Sequence, residues 1–191
     1  MPFFRMCETE GTKIVPVYNN RHTGRKTASQ NLTSPIAKVM NAIRAVADKK
    51  SVVPDYIYVN EKYSFDNPSK PYVIIETKAP ALKCEENNEY CYKKLEISKS
   101  VINELSVEVK SCGRVIFTDG ITWFFCVWKD KVEVIETIEL IPAKIDLQKP
   151  NITSNENEKT TDNIEHKQWQ SLKNIIKDFL RNAKIDKESN I

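Results

Sequence analysis

Three residues in this chain combine acid, base and charge at a spacing that suits one reaction: Asp55, Glu76 and Lys78. Glu76 and Lys78 stand two positions apart at the end of Tyr72-Val73-Ile74-Ile75-Glu76-Thr77-Lys78. In an extended chain, alternate side chains leave by the same face, so the two project together. Asp55 follows Pro54 in a segment 21 positions before Glu76, far enough for the two segments to lie as neighbouring strands. Two converging carboxylates, with the Thr77 backbone carbonyl as a further ligand, make a hard oxygen site suited to Mg²⁺ or Mn²⁺. A divalent ion there would polarise a phosphate and acidify a bound water. The Lys78 amine would orient or deprotonate that water, or offset the charge gathering on the phosphate oxygens. Phosphodiester hydrolysis needs both functions. Asp55 and Glu76 provide for one cation; a second needs another carboxylate.

The flanking pattern predicts elements able to position these groups. Residues 72–78 are apolar on both faces until they end in charge, which predicts a central strand stopped by Pro80. Residues 52–59, dense in β-branched and aromatic types, predict its neighbour. A short strand is expected within 13–18. A hydroxyl pair and proline, Thr33-Ser34-Pro35, start a helix over 36–47, where Ile36, Val39, Met40, Ile43 and Val46 recur at helical spacing. A second helix is expected within 88–109, with Leu95, Val101, Ile102, Leu105 and Val109 on its stripe. Three strands follow over 114–118, 122–128 and 131–138, joined by turns at Asp119-Gly120 and Lys129-Asp130. The fold class is α/β, a mixed central sheet flanked by helices. Residues 1–147 form the domain, 148–164 a polar linker, and 165–191 a C-terminal amphipathic helix and tail. The apolar stripe of that helix, Trp169, Leu172, Ile176, Phe179 and Leu180, either packs back on the domain or meets a partner, including a second copy.

Pro54-Asp55, a spacer, and Glu76-Thr77-Lys78 after an apolar strand resemble the PD-(D/E)xK nuclease superfamily. The order helix, strand, strand, helix, strand resembles that superfamily's restriction-endonuclease-like core. The run Thr118-Asp119-Gly120-Ile121-Thr122-Trp123 looks like a hairpin found in type I restriction enzyme R-subunit nuclease domains. The resemblance spans roughly residues 33–140. It implies a metal-dependent nuclease acting on DNA, with Asp55, Glu76 and Lys78 catalytic and Mg²⁺ or Mn²⁺ as cofactor. Many members add a glutamate on the first core helix, but 36–47 holds Lys38, Asn41 and Arg44 instead; Glu8 or Glu10 are the upstream substitutes. The R-subunit branch also holds a glutamine on its second helix, where this chain has none and Lys94 offers a phosphate-facing charge. Viral cap-snatching endonucleases share the core and use a histidine ligand, which makes His22 a candidate and RNA an alternative substrate. A catalytically silent nuclease fold that binds nucleic acid or a protein partner is the other reading.

The remaining composition narrows little further. The 191 residues suffice for one domain with a buried core. A formal charge of +3 permits nucleic-acid binding, with Arg21, Arg25, Lys93, Lys94 and Lys99 as possible phosphate contacts. Five cysteines without a CxxC pair argue against a secreted disulfide scaffold and a zinc site. No apolar run nears the roughly 20 residues of a membrane helix. A soluble intracellular protein, with no membrane partner, is expected.

Overall fold

In a computed structural model of the chain, which describes residues 4, 6–17, 54–64, 69–84, 90–140 and 158–189, the two most apolar runs lie side by side. Val73, Ile74 and Ile75 are fully buried, as are Val115, Ile116 and Phe117. Strands buried on both faces belong at the centre of a sheet. The elements in chain order are β1 (Thr12–Pro16), β2 (Tyr56–Asn60), β3 (Val73–Thr77), β4 (Ala81–Cys84), β5 (Tyr90–Lys93), α1 (Lys99–Cys112), β6 (Arg114–Thr118), β7 (Thr122–Lys129), β8 (Lys131–Glu139) and α2 (Glu158–Glu188). Six strands form one sheet in the order β1-β2-β3-β6-β7-β8, and β4 pairs with β5 separately. All neighbours in the large sheet are antiparallel except β3 and β6, which run parallel in its middle. The β4–β5 hairpin and α1 make the crossover between them. The chain is therefore mixed α/β, as its pattern predicts.

Each face of the sheet has its own helix. Leu105, Val109 and Cys112 of α1 pack with Ile57, Val59, Ile74, Val115 and Phe117. Leu172, Ile176, Phe179, Leu180 and Ala183 of α2 pack with Tyr58, Val73, Ile75, Ile116 and Phe125 on the other side. Strand alternation explains the division, because Ile74 and Ile75 must face opposite ways. The result is three layers, helix on sheet on helix. Polar contacts fasten α2 along its last turns: Arg114 to Asp186 at 2.6 Å, Lys184 to the Glu10 carbonyl at 3.0 Å, and Lys187 to the Pro71 carbonyl. Between packing back and meeting a partner, the α2 stripe takes the first course. Trp169, expected on the same stripe, is exposed instead.

Three expected boundaries move. The second helix begins at Lys99, not near 88, because Tyr90–Lys93 pairs with Ala81–Cys84 as a hairpin. Ser98 starts the helix, its hydroxyl accepting from the Val101 amide, and Gly113 ends it in the left-handed conformation, φ 91°. At the C-terminus, α2 starts at Glu158, inside the expected linker. The run 158–164 contains no glycine or proline, so a helix nucleated on the packed turns extends through it. In the domain, β2 starts at Tyr56 and leaves Asp55 in a bend just before it. The expected helix over 36–47 and the segment carrying Arg21, His22 and Arg25 lie outside the described residues. No described helix is long and apolar enough to cross a membrane.

Candidate functional site

The sheet register brings the predicted residues together. Tyr56 of β2 lies opposite Ile75 of β3, and one further step brings Asp55 opposite Glu76. The bend at Asp55 is held from both sides. Its carbonyl accepts from the Val17 amide at 2.8 Å, and its Oδ2 accepts from the Thr77 amide at 2.8 Å and the Thr77 hydroxyl at 2.6 Å. Lys78 follows β3 directly. Its amide donates to the Thr118 carbonyl at 2.8 Å, which prolongs the β3–β6 pairing by one step and fixes where the side chain leaves.

Glu76 shares its face with Ile74, the face that α1 covers, and is buried. Lys78 Nζ donates to Glu76 Oε1 at 2.6 Å and stands 3.4 Å from Glu104 Oε1 of α1. One turn further along α1, Glu108 is completely buried. Neither Glu108 oxygen, nor Oε2 of Glu76, has a hydrogen-bond partner among the described residues. Glu108 feels the charges of Glu76, Glu104, Lys78 and Asp55, so five ionisable groups share one neighbourhood. Four are acids and one is a base.

The charge imbalance shows in the proton affinities. Burial pushes Glu108 well above the ordinary carboxylate range, and Glu76 and Glu104 push it further. Burial also raises Glu76, where Asp55 and Glu104 add to the effect and the Lys78 hydrogen bond opposes it. For Lys78, burial pulls downward, but Glu76 and Glu104 outweigh it and hold the ammonium above its usual value. One ammonium does not neutralise this cluster. Buried carboxylate oxygens without partners call for another cation or a proton.

The donor chemistry fits Mg²⁺ or Mn²⁺, because every candidate ligand is a hard carboxylate oxygen. Among the described residues, no three His, Cys, Asp or Glu side chains are arranged to hold a metal ion. Asp55 Oδ2 is engaged by Thr77, and Glu76 Oε1 by Lys78. Both oxygens of Glu108 and Oε2 of Glu76 are buried without a partner among the described residues.

The other predicted residues fall elsewhere. Glu8 Oε1 accepts from the Ile14 amide at 2.8 Å, a strand-edge role, and the neighbouring Thr9 hydroxyl bonds to Tyr58 on the α2 side of the sheet. Glu10 is exposed and uses its carbonyl to hold Lys184. Neither substitutes for a helix glutamate at the site. Lys94 pairs with Glu139 of β8, and Lys93 and Lys99 are exposed at the ends of β5 and α1. Arg21, Arg25 and His22 lie outside the described residues. Glu104 and Glu108 were missed by the sequence pattern, although Glu108 sits between Val107 and Val109 on a helix, an apolar setting for an acid.

The Thr118-Asp119-Gly120 turn explains itself structurally. Asp119 Oδ1 accepts from the Ile121 and Thr122 amides at 3.0 and 2.8 Å, and Gly120 takes φ 91°. Trp123 Nε1 donates to the Gly120 carbonyl at 3.1 Å. The Tyr92 hydroxyl donates to Asp119 Oδ2 at 2.7 Å, which ties the β4–β5 hairpin to this turn. No family model, curated protein or solved structure matches the chain.

Proposed function

We propose that this chain is a Mg²⁺- or Mn²⁺-dependent nuclease of the PD-(D/E)xK, restriction-endonuclease-like kind that hydrolyses phosphodiester bonds in DNA. The observation that carries the reading is the meeting of Asp55, Glu76 and Lys78 where β3 ends beside its parallel neighbour β6. Ligands in open α/β sheets gather at such strand ends. A three-strand antiparallel meander, a crossover helix and a parallel strand also support that fold.

Asp55 and Glu76 would hold the cation, which supplies a Lewis acid for the scissile phosphate and an acidified water. Thr77 keeps the Asp55 carboxylate in place through two hydrogen bonds. Lys78, kept as an ammonium by Glu76 and Glu104, offsets the charge that develops on the phosphate oxygens and orients the attacking water. DNA, rather than RNA, follows from the likeness to restriction-enzyme nuclease domains.

A second reading is a catalytically silent module on the same fold, which grips nucleic acid or a protein. It is favoured by the way Lys78 closes on Glu76 and Glu104 within the protein. Incubation with plasmid, single-stranded DNA and RNA, with Mn²⁺ or Mg²⁺, separates the readings. The nuclease cleaves DNA only with metal, and Asp55→Ala and Lys78→Ala each abolish cleavage. Retention of cleavage by both variants overturns the assignment, cleavage of RNA alone moves the substrate class, and binding without cleavage leaves the silent module.

A further inference from the structure

We infer that Glu108 of α1 is a ligand of the divalent cation, sharing it with Glu76. The inference rests on the metal-dependent reading above and adds a residue to it. The crossover helix would then supply the carboxylate that neither residues 36–47 nor Glu8 and Glu10 provide.

Among the described residues, the Glu108 carboxyl has no structural employment. Its side chain is completely buried, and neither oxygen meets a donor among the described residues. Buried polar groups are nearly always hydrogen-bonded, and an orphaned carboxyl destabilises the fold. Its neighbours on α1, Leu105 and Val109, show what the local packing favours: an aliphatic side chain. The third orphaned carboxylate oxygen of the site, Glu76 Oε2, belongs to the acid on the sheet face that α1 covers. Two buried acids thus keep open oxygens, one on a strand and one on the helix covering it, and a hard cation bound between them would satisfy both. Glu104 differs. It is partly exposed and already faces Lys78.

Calorimetric titration of the full chain with Mn²⁺, paired with metal-free and Mn²⁺-loaded melting curves, tests this without reference to activity. Wild type binds Mn²⁺ and melts higher with it. Glu108→Gln keeps the side-chain volume, weakens Mn²⁺ binding about tenfold or more, and loses most of the metal-induced rise in Tm. Glu104→Gln changes the affinity by no more than about threefold. Should Glu108→Gln fail to fold, Glu108→Asp, which keeps the charge one methylene short, shows the same weakening. Wild-type affinity in a folded Glu108 variant overturns the inference and leaves the metal-dependent reading standing. Equal losses in the Glu104 and Glu108 variants also overturn it, because both then report only lost negative charge. A wild type that binds no Mn²⁺ overturns both. Normal Mn²⁺ binding through Glu108 with no cleavage of any nucleic acid supports the ligand and removes the nuclease.

Discussion

Asp55 receives both hydrogen bonds of Thr77, from the amide at 2.8 Å and from the hydroxyl at 2.6 Å, on the single oxygen Oδ2. A residue outside the strands is thereby locked to the last residue of the central one. The carboxylate has a structural duty beside the chemical one proposed for it, and substitution can separate them.

Asp55→Ala removes the acceptor and leaves two partly buried donors without one, a loss of about 1–3 kcal/mol of stability. Asp55→Asn keeps a carbonyl oxygen that can accept both bonds, so it costs about 1 kcal/mol or less. It still removes the charge a cation needs. Urea unfolding should therefore rank wild type, then Asn, then Ala, while Mn²⁺ binding and cleavage are lost in both variants. Full Mn²⁺ affinity in Asp55→Asn would show that this carboxylate is structural alone.

Glu108→Leu should stabilise the metal-free protein. The substitution replaces a buried acid that has no described partner with a side chain of the kind that α1 already packs there. Removal of an unsatisfied buried polar group is worth about 1–3 kcal/mol, which for a chain of this size raises Tm by roughly 2–4 °C per kcal/mol. A functional acid retained against stability behaves this way. The check is a melting curve in a chelator, where a lower Tm would mean that Glu108 orders the helix instead.

Much of this arrangement was legible in the residues. The alternation that puts Glu76 and Lys78 on one face, and the apolar run before them, needed only strand geometry, and both hold. The hairpin Ala81–Cys84 with Tyr90–Lys93 was not legible, because four-residue strands carry too little periodicity to compete with a longer helical pattern. Glu108 escaped for a different reason. A glutamate on an amphipathic helix is ordinarily solvated, and the packing of α1 on the sheet buries this one. Local pattern gives Asp55, Glu76 and Lys78; tertiary packing adds the helix acids.

Lys187 gives stability a distinctive dependence on alkaline pH. Burial lowers its pKa from 10.5 to about 8, with Cys112 opposing and Lys70 reinforcing the shift. Between about pH 8 and 10.5 the unfolded chain holds this proton and the folded chain does not, so stability contributed through Lys187 rises with pH across that window. Lys187→Met has no such group. The difference in Tm between wild type and Lys187→Met should move in favour of wild type from pH 7 to pH 10. A difference that stays flat would place the ammonium in solvent rather than against the Pro71 carbonyl and the Tyr72 ring.

The C-terminal helix should behave as a third layer of the core and not as a tether. Leu180 is fully buried with Ile176 and Phe179 against the sheet, whereas Ile185, five residues on, is half exposed. Deletion of buried methyl groups leaves a cavity that the surrounding structure fills only partly, so Leu180→Ala should cost about 2–5 kcal/mol. Ile185→Ala, with most of its side chain in water, should cost about 0.5 kcal/mol or less. If α2 were an independent element on a linker, both variants would leave the unfolding of the sheet unchanged. Denaturant titration followed by tryptophan fluorescence in a Trp169→Phe background reads the sheet directly, because Trp123 and Trp128 both lie on β7 and Trp123 is buried in the cluster that α2 covers. A Leu180→Ala midpoint equal to wild type would detach the helix from the core, and a large drop makes the sheet's stability depend on it.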